Sequence, residues 1–442
     1  MERGNRVLVL GAGLVTNPLI QYLLKIPGLE LTVATRTVSK AENMIAGHAQ
    51  GKAVTLDIES ESATRALIEN CDLVISLVPW IYHLTVAKLA IELKKQMVTT
   101  SYVSPEMSEL DAAAREAGII ILNEIGLDPG IDHMSAMKII HQVQSEGGTV
   151  KGFLSNCGGL PAPEANTNPW GYKFSWSPRG VVLAARNTAK YLWGGKEVSV
   201  PGPELFADVQ SLEVDELGAF EVYPNRDSLG YQEIYGLQGV ETLKRGTIRN
   251  LGHCATWKAL ADCGWFELTE VNVEGKTYED VFAGLLGVDG NLPEALAAFL
   301  KMEVDADPIQ RMQWLGLLSA ATVPGKVNTT VLDVLANLLL EKLPYEKDER
   351  DMIVLQHDFD AEYPDGRKEH ITSSLVAMGI PGGDSAMART VSLPAAIATR
   401  MILEGKITET GVHIPVEAAI YEPVLEELET LELKFKETVA SI

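Results

Sequence analysis

A glycine turn near the start of the chain is the first stretch that could carry chemistry. The apolar run 7–10, which follows Arg6, leads directly into Gly11, Ala12 and Gly13. A buried strand, a glycine turn and a following helix let the backbone approach a pyrophosphate, which then lies on the amides of the helix N-terminus. The fingerprint G-x-G-x-x-G/A expects a small residue where this chain has Thr16. Taken alone, the turn is as typical of an ordinary strand–helix corner as of a nucleotide site.

The pattern that follows decides between these interpretations. Short apolar runs alternate with helical stretches as far as residue 122. We predict strands over 6–10, 31–34, 53–56, 72–78, 97–100 and 119–122. Strands that alternate with helices form a doubly wound parallel sheet, so the predicted fold class is α/β of the Rossmann type. In that context the glycine turn predicts a dinucleotide site.

The end of the second predicted strand indicates which dinucleotide. Enzymes that use NAD usually place an acidic residue there, where it binds the ribose 2′-hydroxyl. This chain has Thr35, Arg36 and Thr37 and no acid. An arginine can form a charge-assisted fork to a 2′-phosphate. We therefore predict NADP(H) as the cofactor, the alternative being that Arg36 is an ordinary solvated surface residue.

The remaining candidates lie at the other strand ends, because ligands of open parallel sheets bind at the carboxyl ends of the strands. These ends are 11–15, 35–37, 57–58, 78–79, 100–102 and 127–129. Tyr102 and Asp128 are the predicted acid and base groups. Cys157 ends the next predicted strand and could face the same site or be a small buried apolar residue. Trp176 could stack on the nicotinamide side of the cofactor or fill a core.

The pattern changes after residue 123, where a second region begins. Residues 123–133 are polar and rich in turns. A strand is predicted over 150–157 with a rigid loop over 158–163, and the short β-type pieces that follow predict a mixed or antiparallel sheet. Residues 265–346 have helical periodicity and no chemical motif, which predicts a structural or oligomerisation insertion. Further on we predict strands over 352–359 and 371–376 and a long helix that ends near 403.

Arginines in the second region could bind an anionic substrate. Arg226 lies in a predicted turn and Arg249 ends a short predicted strand, with Lys173 and Arg245 as neighbouring cations. Each residue alone is more often a surface cation than a ligand contact. Together they suit a small molecule with several carboxylates, because guanidinium groups bind carboxylates through two parallel hydrogen bonds.

Composition excludes several classes of partner. The 442 residues carry a formal net charge of −23, which argues against nucleic acid and anionic membranes as partners. We expect no membrane span, because the sequence has no run of about 18 apolar residues. The four cysteines are scattered without a C-x-x-C motif, and we expect no metal site. We expect a cytoplasmic protein, since the N-terminal residues show no signal-peptide pattern.

Several segments together carry a family resemblance. The sequence resembles the NADP-dependent, L-glutamate-forming saccharopine dehydrogenases, also called saccharopine reductases, of the aminoadipate route of lysine metabolism. The matching segments are 11–16, 72–79, 98–105, 123–133, 157–164, 171–177 and 223–228. They follow one another in order through the first half of the chain, and the block from Cys157 to Ser177 favours the glutamate-forming branch.

The resemblance implies particular contacts, which overlap with most of the candidates found from the residues. Contacts to NADP are implied for Ala12, Gly13, Leu14, Val15, Thr35, Arg36, Thr37, Asp57, Ile58, Val78, Thr100, Ser101, Leu127, Asp128, Pro129 and Trp176. Contacts to saccharopine are implied for Ser101, Tyr102, Asp128, Arg226, Thr247, Ile248 and Arg249. Gly11 is added to the predicted cofactor-binding residues because it belongs to the glycine turn. Asp128, Tyr102 and Cys157 are the predicted proton-handling residues.

Pattern and resemblance together predict three domains. A Rossmann domain over 1–130, completed by 381–442, would bind NADP. A mixed-sheet α+β domain over 131–264 and 347–380 would bind the substrate, and an all-helical insertion would span 265–346. A homodimer is also expected.

The implied reaction converts saccharopine, NADP and water into L-glutamate, 2-aminoadipate 6-semialdehyde and NADPH, or runs in reverse. Two related oxidoreductases stay open as alternatives, a lysine-forming saccharopine dehydrogenase and a carboxynorspermidine-type reductase. So do a non-catalytic NADP-binding protein and an acidic interaction module.

Overall fold

The computed structural model describes residues 5–325 and 328–442, and these residues form two units. The first unit extends to Thr149 and takes in Leu375–Glu437. The second unit consists of Val150–Ser374 and Thr438–Ile442.

The elements are numbered here in chain order. The N-terminal part contains β1 (Arg6–Leu10), α1 (Thr16–Leu24), β2 (Glu30–Thr35), α2 (Val38–Ile45), β3 (Gly51–Thr55), α3 (Glu61–Glu69), β4 (Leu73–Ser76), α4 (His83–Leu93), β5 (Gln96–Thr99), α5 (Pro105–Ser108), α6 (Asp111–Ala117), β6 (Ile120–Leu122) and α7 (Ile131–Ser145).

The middle part contains β7 (Thr149–Pro161), α8 (Pro178–Ala184), β8 (Ala189–Trp193), β9 (Lys196–Val200), β10 (Gln210–Val214), β11 (Gly218–Pro224), α9 (Tyr231–Ile234), β12 (Thr242–Arg249), α10 (His253–Asp262), β13 (Glu270–Val271), α11 (Tyr278–Leu286), α12 (Leu292–Leu300), α13 (Asp307–Leu315), β14 (Thr329–Thr330), α14 (Val331–Lys342), β15 (Asp351–Glu362) and β16 (Lys368–Met378). The C-terminal part contains α15 (Ala386–Leu403), β17 (Gly411–His413), α16 (Ala418–Thr430) and β18 (Phe435–Ser441).

A parallel sheet forms the centre of the first unit. Its seven strands lie in the order β17-β6-β5-β4-β1-β2-β3, and all the neighbouring pairs are parallel. Every residue of β4 is buried, as expected for a strand covered on both faces. The strand order reverses between β1 and β4, which is the point where such sheets bind ligands. The predicted Rossmann-type sheet is confirmed, and β17 adds a strand that the pattern did not predict.

The C-terminal segment returns to this first unit. Asn17 at the start of α1 donates to Asp384, just before α15, over 2.7 Å. At the other end of the same two helices, Arg400 donates to the hydroxyl of Tyr22 over 2.8 Å.

A mixed sheet forms the second unit. Its main path is β10-β11-β12-β7-β15-β16-β18, and β8 and β9 pair beside β12. Strand β12 is antiparallel to β11 and parallel to β7, so the predicted mixed sheet is confirmed. The prediction of a loop from residue 158 was wrong, because β7 continues to Pro161. A Cβ at Gly158 would lie 2.4 Å from the carbonyl oxygen of Ile248, so glycine at this position allows the neighbouring strand to approach closely.

The helices of 265–346 belong to the second unit. Their buried side chains, such as Phe282 and Leu335, join one hydrophobic core with Trp170 and Trp257. The division of this region into a substrate domain and a helical insertion, with the boundaries given above, stays a prediction.

The glycine turn generates a test of local backbone strain. Gly11 has φ of +110°, and a Cβ there would lie 2.7 Å from the carbonyl oxygen of Leu77. We expect Gly11→Ala to lower the free energy of unfolding by about 1–3 kcal/mol. The measurement is chemical denaturation of the full chain.

Gly13→Ala is the matched control, since a Cβ at Gly13 has nothing within 4 Å. This variant should unfold at nearly the same denaturant concentration as the unsubstituted protein. Equal losses in both variants would contradict the role given to the close approach at Gly11.

Candidate active site

The glycine turn is held between two neighbouring strands. The amide of Gly11 donates to the carbonyl of Ala34 over 2.9 Å, and the amide of Leu77 donates to the carbonyl of Leu10 over 2.8 Å. Thr16 is fully buried, and its hydroxyl oxygen accepts from the amide of Gly13 over 2.9 Å. The residue that departs from the fingerprint therefore closes the turn through its own side chain.

The start of α1 fits a bound pyrophosphate. No side chain caps this helix, and its first turn contains no acidic residue. The backbone amides at an uncapped helix start are donors that an anion can satisfy. The space beside Gly13 is open, and Leu14 is 77% exposed. The residues present thus fit the pyrophosphate of a dinucleotide.

Arg36 fits a 2′-phosphate. It follows the last residue of β2, it is exposed, and within the described residues it makes neither a hydrogen bond nor an ion pair. Thr35 and Thr37 flank it, and Asp57 and Ile58 follow β3, the next strand along the sheet.

A buried histidine lies beneath the ends of β4 and β5, and the sequence interpretation missed it. His83, the first residue of α4, is 5% exposed. Its Nδ1 lies 2.8 Å from Oγ of Ser76, and its Nε2 lies 2.8 Å from Oγ of the predicted site residue Ser101. Burial lowers the pKa of this imidazole to about 4. Its position, shortly after the predicted strand end at Val78, was a signal that could have found it.

Tyr102 and Asp128 come together in the first unit. The hydroxyl of Tyr102 donates to Oδ1 of Asp128 over 3.1 Å. Asp128 is joined to Pro129 by a cis peptide bond, and Leu127 beside it is buried. The two predicted acid and base groups are thus hydrogen-bonded to each other.

A buried pair, Glu124 and His133, holds the backbone around these groups. One carboxylate oxygen of Glu124 accepts from the amide of Val103 over 2.8 Å, and the other lies 2.7 Å from Nε2 of His133. The amide of Glu124 donates to the carbonyl of Ser101 over 3.1 Å. These contacts fasten the residues on either side of Tyr102 to the start of the turn-rich segment, and the sequence interpretation assigned them no role.

Arg249 in the second unit is a buried cation that has no carboxylate partner among the described residues. Its side chain has its guanidinium carbon 4.9 Å from the ring centre of Tyr172 and 5.9 Å from that of Tyr223. One terminal nitrogen donates to the carbonyl of Ile248, while the buried Nε has no hydrogen-bond partner among the described residues. The residue is only 6% exposed. Glu221, its cross-strand neighbour, accepts instead from the amides that begin α10.

The other predicted cations of the second unit are already engaged. The ammonium of Lys173 lies 2.5 Å from the carboxylate of Glu349. Arg245 donates to the hydroxyl of Tyr231 and lies over its ring. Arg226 occupies a turn with φ of +57°, and its carbonyl accepts from the amide of Lys190.

The remaining candidates of the second unit lie on β7, on β12 and just before α8. Cys157 is 9% exposed and lies opposite Thr247 in the register of the two strands. Ile248 is fully buried. Trp176 is 45% exposed, so its side chain does not fill a core within the unit. Its predicted stacking on the cofactor stays a prediction.

Two family models match the sequence. Residues 7–122 match the saccharopine dehydrogenase NADP binding domain, and residues 126–432 match the saccharopine dehydrogenase C-terminal domain. The chain belongs to the saccharopine dehydrogenase family.

Full-length members of the saccharopine dehydrogenase family are similar to this chain throughout. A saccharopine dehydrogenase [NADP(+), L-glutamate-forming] of Pyricularia oryzae is 41% identical over 98% of this chain and 99% of its own length. The corresponding Saccharomyces cerevisiae protein is 42% identical over 96% of this chain and 97% of its own. The solved apo structure of a saccharopine dehydrogenase (L-Glu forming) from Saccharomyces cerevisiae has a TM-score of 0.91 at 40% identity, covering 99% of this chain and 100% of that one.

Larger relatives contain a similar part. The mitochondrial alpha-aminoadipic semialdehyde synthase of Mus musculus is 38% identical over 97% of this chain, which corresponds to 47% of that protein.

The described residues contain neither a candidate membrane span nor a candidate metal cluster. No described helix combines the length and the apolar character that a membrane crossing needs. Histidine, cysteine, aspartate and glutamate side chains do not gather in threes or more at any place suited to a metal ion, as far as the chain is described.

The buried histidine generates a prediction about pH. The pKa of His83 is about 4 in the folded protein against 6.5 for the free side chain, so between these values the unfolded chain binds more protons. The neutral histidine therefore stabilises the fold above pH 6.5, and this contribution is lost as the pH falls towards 4. Relative to His83→Gln, the unsubstituted protein should lose about 3 kcal/mol more over this window.

Urea unfolding at several pH values measures this difference. His48→Gln, a substitution of an exposed histidine in the same unit, is the control and should follow the unsubstituted protein. If His83→Gln and the unsubstituted protein lost stability in parallel on acidification, the buried neutral state of His83 would be disproved.

Proposed function

We propose that this protein catalyses the NADP-dependent interconversion of saccharopine and water with L-glutamate and 2-aminoadipate 6-semialdehyde. Its family membership and its full-length relatives named for that reaction support the proposal. The structural observation that supports it is Arg249, a buried guanidinium that has no acidic partner among the described residues.

An isolated buried cation is unfavourable unless a partner compensates the lost hydration. A guanidinium offers a planar fork of donors that matches a carboxylate. Saccharopine carries several carboxylates, and binding one of them would give Arg249 the counter-ion that residues 5–325 and 328–442 do not provide. The rings of Tyr172 and Tyr223 lie 4.9 Å and 5.9 Å from the guanidinium carbon and attract the cation without neutralising its charge.

The cofactor would be held by the first unit. The glycine turn and the uncapped start of α1 would bind the pyrophosphate, and Arg36 would bind the 2′-phosphate. When bound, NADP(H) supplies hydride transfer at the carbon that bears the secondary amine. The protein contributes mainly by orienting the reactants, since positioning can lower a barrier substantially.

Proton transfer would use the Tyr102–Asp128 pair. A carboxylate that accepts a hydrogen bond from a tyrosine hydroxyl can hold a proton released by water or by the substrate amine, and the hydroxyl keeps the carboxylate oriented. Cys157 is the third proton-handling candidate.

Substitution of Arg249 tests the proposal. Arg249→Met removes the charge and keeps much of the volume, so the fold should tolerate it. We expect KM for saccharopine to rise by roughly 10- to 100-fold, with a smaller change in kcat, because a charge-assisted hydrogen bond contributes about 1.5–3 kcal/mol. Steady-state kinetics that follow NADPH absorbance, with L-glutamate identified as product, provide the measurement.

Arg350→Met is the matched control, because this arginine of the same unit is already paired with Glu164. It should keep the KM of the unsubstituted protein. An unchanged KM in Arg249→Met would refute the carboxylate clamp.

Cofactor choice is a separate test. Arg36→Ala should raise KM for NADP by about tenfold or more through loss of the contact to the 2′-phosphate. KM for NAD, which lacks that phosphate, should stay the same and serves as the internal control. An equal change for both cofactors would show that Arg36 does not recognise the 2′-phosphate.

The same assay separates the alternatives. Formation of lysine would indicate a lysine-forming dehydrogenase, and activity with carboxynorspermidine alone would indicate a polyamine reductase. Binding of NADP without turnover of saccharopine would favour a non-catalytic protein, and absence of cofactor binding would favour an interaction module.

Assembly and location also belong to this proposal. We propose a homodimer, which sedimentation analysis would test. Apolar side chains exposed in and between α12 and α13, such as Phe299 and Trp314, are consistent with a subunit contact. A cytoplasmic location agrees with the four buried cysteines, which form no disulfide bond within the part of the chain that the structure describes.

A further inference from the structure

A buried polar chain leads from the core of the first unit to the candidate site. It runs from Ser76 through His83 to Ser101, and both ring nitrogens of the histidine lie 2.8 Å from a serine hydroxyl. Ser76 is fully buried, His83 is almost so, and Ser101 is half-buried. The proposed function assigns no task to the first two residues.

The direction of these hydrogen bonds follows from counting donors and acceptors. The lowered pKa keeps the imidazole neutral near pH 7, so one ring nitrogen donates and the other accepts. Nδ1 is the only partner that the described residues offer to the Ser76 hydroxyl. A buried hydroxyl needs an acceptor, so Ser76 donates to Nδ1.

The proton of the ring is then on Nε2, which donates to Oγ of Ser101. With its oxygen already accepting, Ser101 has its own O–H left to donate, and no described residue accepts that hydrogen. The serine is therefore set as a donor for an oxygen that the described protein does not supply.

We propose that His83 is a positioning residue that aims the hydroxyl of Ser101 at an oxygen acceptor of the bound substrate, a carboxylate oxygen of saccharopine. This inference rests on the proposed function. The carbonyl oxygen of the cofactor carboxamide has the same hydrogen-bonding chemistry, and the kinetic constants for the two reactants distinguish these sources.

Among the described residues, the hydrogen-bonded series Ser76–His83–Ser101 offers no route for protons to solvent. It ends at Ser76, which is fully buried and has no further side-chain partner among the described residues. Thr99 does donate to the backbone carbonyl of Ser76 over 2.9 Å, which holds the two strand ends together. The hydrogen bonds of His83 therefore act on the reaction by orienting Ser101. They do not form a proton relay.

A double-mutant cycle tests this assignment. His83→Phe removes both ring hydrogen bonds, and Ser101→Ala removes the hydroxyl. We expect each to lower kcat/KM for saccharopine by about tenfold, and the double variant to be no worse than the more damaged single variant, because both remove one shared interaction. The loss should be in KM for saccharopine, with KM for NADP unchanged.

Two further variants separate positioning from general structural damage. His83→Gln retains an amide donor that can reach Ser101 and should restore most of the activity. His141→Phe removes a similar bond, between His141 and the hydroxyl of Tyr421 in the same unit, and should leave the kinetics unchanged.

Multiplicative losses in the double variant would overturn the inference, as would failure of His83→Gln to restore activity or an equal loss in His141→Phe. A rise confined to KM for NADP would overturn the assignment to the substrate and identify the cofactor as the acceptor. An unsubstituted protein that does not turn over saccharopine would refute the proposed function and this inference together, whereas an active protein with uncoupled variants would refute the inference alone.

Discussion

Parallel alignment of neighbouring strands is the constraint on which the candidate site of the first unit depends. Strands β5, β4, β1 and β2 end at one edge of the sheet, so residues far apart in sequence share that edge. The glycine turn, the end of β2 with Arg36, and the segment of Ser101 and Tyr102 all begin where one of these strands stops. Buried strands and covering helices fix the edge, and the polar residues lie beyond it without weakening the apolar interior.

The second unit solves a different problem, that of keeping a charge inside a protein. Arg249 ends β12 beside a strand whose glutamate is occupied by the start of α10. Aromatic faces surround the guanidinium, and they attract a cation without neutralising it. The neighbouring cations Lys173 and Arg245 have partners within the fold, whereas Arg249 has no acidic partner in the described part of the chain. The proposed carboxylate site thus depends on the lack of an acidic partner among the described residues as much as on the presence of the cation.

Sequence patterns predicted the regular parts of the fold, since continuous apolar runs such as β4 have few alternatives. They did not predict β17, because three residues hold too little periodicity and the strand exists through its pairing with β6. They predicted that the strand β7 ends at Cys157, because glycines are common in loops. In the structure, Gly158 continues the strand and allows close approach of another strand.

The candidate site was predictable to a similar degree. Residues at strand ends could be selected from spacing alone, and the contact between Tyr102 and Asp128 agrees with their selection as a pair. The supporting groups His83, Glu124 and His133 could not, because their importance comes from partners that only folding brings near. A histidine in a sequence does not show whether it will be buried and neutral.

Thr16 has a consequence for how a cofactor would be received. Because its side chain accepts from the amide of Gly13, a contact within the protein itself holds the turn in shape. Binding then orders little backbone at this point, and less conformational entropy opposes it. With Thr16 at this position, the amide of Gly13 is no longer available to donate to the ligand. In return, the turn is preorganised for binding.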